Sequence, residues 1–143
     1  MPSGLAAIRR ANAAMIRQIG EKLRWIREAY EAREPLRHSQ QQWAEALGIE
    51  ASQLSRIENG KQMPPPDILF RVVYLSGASM DYVFFSVVSE EVMLPWLCKA
   101  LLETHPIPLK SVETFLVDRG ALLESLPLSS TQKRQRRLVK RNR

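Results

Sequence analysis

From Gln40 onward, apolar side chains fall at Trp43, Leu47, Ile49, Leu54 and Ile57, with the small Ala44 among them. Trp43 and Leu47 are four apart and Leu54 and Ile57 three apart, so each pair lines one face of a short helix. Gly48 stands between the two segments, where a chain leaving a helix often needs a positive φ, which glycine takes without strain. Ser39 is a good N-cap, and Gln42 three residues on completes a capping box. The pattern predicts two short helices joined by a tight turn, the second running from Ala51 to Glu58. Leu54 and Ile57 then face inward, and residues 51, 52, 55, 56 and 59 face out.

The same reading extends along the chain. Leu5, Ile8, Met15, Ile19, Leu23, Ile26 and Tyr30 recur at threes, fours and sevens, which predicts helix over residues 4–32. Gly20 in its interior costs about 1 kcal/mol against alanine, so one long helix and two shorter ones both fit. Pro35 ends this segment. Pro64-Pro65-Pro66 is a rigid connector, with Pro66 acceptable in the first turn of a core helix that Ser76-Gly77 closes. Ser79 caps a fifth helix holding Met80, Tyr82, Val83 and Phe84. Two more amphipathic segments follow, 90–104 and 109–126, parted by His105-Pro106-Ile107-Pro108. Residues 127–143 carry too little apolar surface to fold alone and are expected to be disordered.

Charge divides the chain differently. The net +6 is the sum of +3 over residues 1–61, −4 over 62–132 and +7 over the last eleven residues. Basic ends around an acidic middle suit a polyanionic partner. Two isolated histidines and a lone Cys98 offer no metal cluster and no internal disulfide, and no phosphate loop or nucleophile–base set is present. An enzyme is not expected, nor a cofactor. The longest apolar run, Tyr82 to Val88, is too short to span a bilayer and no signal peptide opens the chain, so a cytoplasmic location is expected.

The stretch Ser39–Lys61 resembles the helix-turn-helix of the lambda repressor-like (Xre/Cro) family. Ser39, Gln40, Ala44, Leu47, Gly48, Leu54, Ile57, Glu58, Asn59, Gly60 and Lys61 match its pattern, with Trp43 in place of the usual leucine. The likeness continues through Pro64, Leu69, Arg71, Gly77 and Ser79–Val83, and upstream through Ile19–Arg24 and Ile26–Glu28, covering roughly residues 17–86. The segment Glu31–His38 departs from it by an insertion of about six residues.

The resemblance implies an all-α fold with a five-helix DNA-binding domain at 17–88, to which the residue pattern adds an extra N-terminal helix at 1–16, a C-terminal helical region at 89–126 that could serve dimerisation, and a disordered basic tail at 127–143. It implies that the helix 51–58 enters the major groove of double-stranded DNA. Ala51, Ser52, Gln53, Ser55 and Arg56 would meet bases there, Arg56 placing its fork on guanine. Gln40, Asn59 and Lys61 would meet phosphates, and Arg27 would pair with Glu58. The function implied is a transcriptional regulator, a repressor, acting as a homodimer. Two other uses remain open: an antitoxin-type protein whose extra helices bind a partner protein, and a nucleic-acid-bridging factor working through its tail. Arg9 and Arg10 belong either to a packing helix or to a DNA-contacting arm.

Overall fold

Proline, glycine and serine punctuate the chain into helices in a computed structural model that describes residues 4–105, 108–126 and 130–141. The helices among these residues are α1 (Gly4–Arg33), α2 (Gln40–Leu47), α3 (Ala51–Glu58), α4 (Pro66–Ser76), α5 (Met80–Phe85), α6 (Pro95–Thr104), α7 (Val112–Ser125) and α8 (Ser130–Arg141). The fold is all-α, and the described residues contain no strand beyond an isolated bridge between Val87 and Lys110.

Local chemistry sets the boundaries. Ser39 and Gln42 form the capping box: the Ser39 hydroxyl accepts from Gln42 N at 3.3 Å, and Gln42 Oε1 accepts from Ser39 N at 3.0 Å. Gly48 ends α2 at φ 74° and Gly77 ends α4 at φ 72°. Ser79 caps α5 by accepting from Tyr82 N, and proline opens α4 and α6, where a missing N–H costs nothing.

Residues 1–112 form one compact unit and 113–143 a second. In the first, α1 is the central element, packing on α3, α5 and α6, while α2 packs on α3 and α4. Ile19, Leu23 and Ile26 of α1 meet Leu54 and Ile57 of α3 in a core that also takes Leu47, Val83, Leu97 and Leu101. Within the stretch 89–126, α6 buries Leu97, Cys98 and Leu101 in the first unit's core, whereas α7 buries none of its residues.

Two expectations are corrected. The N-terminal extension is not a separate helix, because α1 runs unbroken for 30 residues through Gly20. The glycine is there for close approach, not for a break. A Cβ at Gly20 would collide with the Ile57 carbonyl oxygen and stand 3.1 Å from Glu58 O. Gly20→Ala ordinarily gains about 1 kcal/mol in a helix interior; here both neighbours are backbone, and a loss of about 1–3 kcal/mol is expected on denaturant unfolding. A gain would mean that α1 and α3 do not approach so closely.

The second correction concerns the tail. Residues 130–141 are helical, and an ion pair from Arg136 Nη2 to Glu124 Oε2 at 2.7 Å joins α8 to α7. Low apolar content argues for disorder, but Gln, Lys, Arg and Leu are all strong helix formers. Residues 127–129 and 142–143 of the tail lie outside the described residues.

Candidate nucleic-acid interface

The turn between α2 and α3 is held from both sides. Gly48, in the left-handed conformation, donates its N–H to Glu45 O at 3.1 Å, and Ile49 N donates to Ala44 O at 3.0 Å. From α4, Arg71 Nη1 donates to Leu47 O at 2.7 Å, satisfying a carbonyl that the end of α2 would leave open. Ala44 is 1% exposed, and its small side chain lets the two helices cross closely.

The far end of α3 is fixed by charge. Arg27 Nε donates to Glu58 Oε2 at 2.8 Å and Arg27 Nη2 to Glu58 Oε1 at 2.9 Å, a two-point fork between buried side chains of α1 and α3. Arg27 Nη1 also donates to Glu31 Oε2 at 2.8 Å. Burial pulls the Arg27 guanidinium down, yet the Glu58 bonds and the charges of Glu58, Glu31 and Glu28 outweigh it and raise it above its ordinary value. Gln40 Nε2 donates to Glu58 Oε1 at 3.1 Å, so the start of α2 joins the same network.

With Leu54 and Ile57 turned inward, α3 exposes Ser52 and Arg56, and the following loop exposes Asn59 and Lys61. Gln53 and Ser55 are half-buried. Ala51 is half-buried too and packs against the core, so it faces outward less than helical spacing suggests. Asn59 Nδ2 donates to Ser55 Oγ at 3.3 Å, which orients both side chains along α3. Arg56 Nε reaches Gln62 Oε1 at 3.5 Å, leaving its two Nη groups directed away from that bond. The result is a short rigid helix with one cation and small polar groups on its open face.

Three interactions escape the sequence. Arg71 and Gln40 act through partners 24 and 18 residues away, which no local pattern shows. The third links two departures from the family pattern. Trp43, 8% exposed, has a buried indole N–H that leucine would lack, and it donates to His38 Nδ1 at 3.3 Å. The inserted loop supplies that acceptor. Tyr30 packs its ring on both His38 and Trp43, at 5.1 and 5.5 Å. Among the described residues no group of three side chains could hold a metal ion, and no helix is long and apolar enough to cross a membrane.

Residues 30–73 match the family model described as Helix-turn-helix. The match begins in the last turn of α1, takes in α2, the Gly48 turn and α3, and ends in α4; it identifies this segment, under a third of the chain, as a helix-turn-helix of the lambda repressor-like kind. Neither a characterised protein nor a solved structure matches the chain.

Proposed function

We propose that this helix-turn-helix chain is a sequence-specific regulator of transcription, a repressor by occupancy, which reads the major groove of double-stranded DNA with α3. The observation that carries this reading is the presentation of Arg56 and Ser52 on a helix clamped to its scaffold by the Arg27–Glu58 fork. Side chains that read bases need such fixed placement, since a good bidentate pairing discriminates only in register. Arg56 would bond guanine O6 and N7. Ser52, Gln53 and Ser55 would bond base edges, and Ala51 would meet a thymine methyl at the rim. Asn59 and Lys61 would hold phosphates, joined by the remaining N–H of Gln40, whose other amide hydrogen goes to Glu58. The activity is binding, in the cytoplasm, with no cofactor and no reaction.

Two copies would read half-sites one helical turn apart, roughly 34 Å. Supporting a protein partner, α7 exposes Leu116, Val117, Leu122 and Leu123 and buries nothing within its unit. A second copy is the first choice of partner. The same surface favours an antitoxin-type partner protein as the second reading, which co-purification of the chain with a different protein, in place of a homodimer, would support.

Selection of bound duplexes from random DNA tests the main reading, because it returns motif, symmetry and spacing together. Arg56→Ala should then lower affinity for the selected site by about 1–3 kcal/mol and relax preference at one base position. Equal losses on selected and random duplexes would place Arg56 on phosphate instead.

A further inference from the structure

The N-terminal half of α1 lies outside the core. Leu5, Ile8, Arg9, Arg10, Met15 and Arg17 are all exposed. From Gly4 to Gly20 the chain holds three arginines and no acidic residue; Glu21 is the first. Among the described residues none of these three guanidinium groups has an ion-pair or hydrogen-bond partner.

The placement of Arg17 gives this charge a direction. It lies against Gly60, where a Cβ would come within 2.7 Å of Arg17 Cα and 2.6 Å of its Cγ. Gly60, at φ 72°, sits between Asn59 and Lys61 in the loop that closes α3. Helix α1 therefore passes this loop at Arg17. Its earlier residues, Gly4 to Ile16, continue about 20 Å beyond it at 1.5 Å per residue. Because α1 is continuous and its C-terminal half is clamped by Glu58, Arg9 and Arg10 are carried on a rigid rod rather than a loose end.

We infer that the N-terminal half of α1 is an arm for the DNA backbone: Arg17 joins Asn59 and Lys61 on a phosphate of the half-site, and Arg9 and Arg10 hold phosphates of the flanking duplex. The inference rests on the DNA-binding function proposed above and extends it from the bases to the flank. A second copy is the competing occupant, since Leu5, Ile8, Asn12 and Met15 stand at coiled-coil spacing. Two heptads make a short seam, however, and in that register Arg10 and Arg17 stand on the side of the helix away from it, where a second copy would leave them unanswered. A polyanion supplies the counter-charge that a second copy lacks.

The test uses the full chain, the duplex recovered by selection with and without eight added base pairs on each side, and a random duplex. The unaltered protein should bind the longer duplexes more tightly. Arg9→Ala/Arg10→Ala/Arg17→Ala should abolish that gain and weaken selected and random DNA by a similar factor. The plot of log affinity against log salt should flatten by about 0.9 for each phosphate the variant no longer neutralises, with the preferred sequence unchanged. A structural role would not move the salt slope while helicity and base preference stay the same. Ala7→Cys carrying an iron chelate should cut the flanking backbone, while Cys98, fully buried, stays unlabelled. Affinity independent of flank length, an unchanged salt slope, or disulfide pairing of two Ala7→Cys chains in place of flank cutting would overturn the arm. If base preference still depends on Arg56 in that case, the arm fails alone; if no duplex is bound, both readings fall.

Discussion

Arg27→Ala is expected to cost about 3–5 kcal/mol of folding stability, because it leaves the Glu58 carboxylate buried with Gln40 as its remaining side-chain donor. Glu58→Ala should cost less. Arg27 would keep Glu31, whose carboxylate is partly in water and holds Nη1 at 2.8 Å. The pair's worth lies in this asymmetry and in register rather than in net Coulomb energy, since desolvating both ions offsets most of their attraction. Arg27→Ala and Glu58→Ala together should therefore cost less than the two single losses added. Denaturant unfolding of the four proteins of the cycle measures this, and strictly additive losses would show that the two side chains do not couple. The double variant should still lose affinity for the selected duplex if α3 shifts, which separates positioning from stability.

The second large effect sits beneath the same helix. Lys22 is 1% exposed and donates through Nζ to Val83 O at 3.3 Å, near the end of α5. Burial pushes its ammonium down to about 8 from 10.5, with the charge of Glu21 opposing. The unfolded chain thus holds the Lys22 proton more tightly than the native state does. Stability should rise as pH climbs from about 8 to 10.5, and below that window the buried charge costs on the order of 3 kcal/mol. Other groups act against this trend. Burial raises the Cys98 thiol, and it raises the hydroxyls of Tyr82 and Tyr30, so each loses stability when its unfolded form ionises near pH 9 to 10. Lys22→Met isolates the effect, being similar in length and uncharged. The variant should be more stable than the parent by up to about 3 kcal/mol at pH 7, with the gap closing by about pH 10.5. A gap that does not vary with pH would mean that Lys22 keeps its charge without cost.

What the sequence can tell follows from how far each determinant reaches. The Ser39–Gln42 capping box and the Gly48 turn are local, and spacing alone places them. The Arg27–Glu58 pair spans 31 residues and is accessible only through likeness to a family. Trp43 is a substitution and His38 part of an insertion, and only the fold shows that one answers the other. Gly20 reads as a flaw in a helix; its reason is the Ile57 carbonyl on another helix. The helicity of 130–141 runs against low apolar content, because there the propensity of arginine and glutamine outweighs it.

The continuity of α1 bears on the order in which the protein can be made. Its apolar face finds partners only downstream: Glu58 lies 31 residues beyond Arg27, and Val83 lies 61 beyond Lys22. Leu97 and Leu101 follow later still. In a nascent chain the 30-residue helix therefore emerges before everything it packs on, and it must wait, with Trp25 and Ile26 uncovered, until α6 has left the ribosome. The synthesis of residues 59–105 is thus the interval in which this chain is most open to chaperones, proteases and self-association.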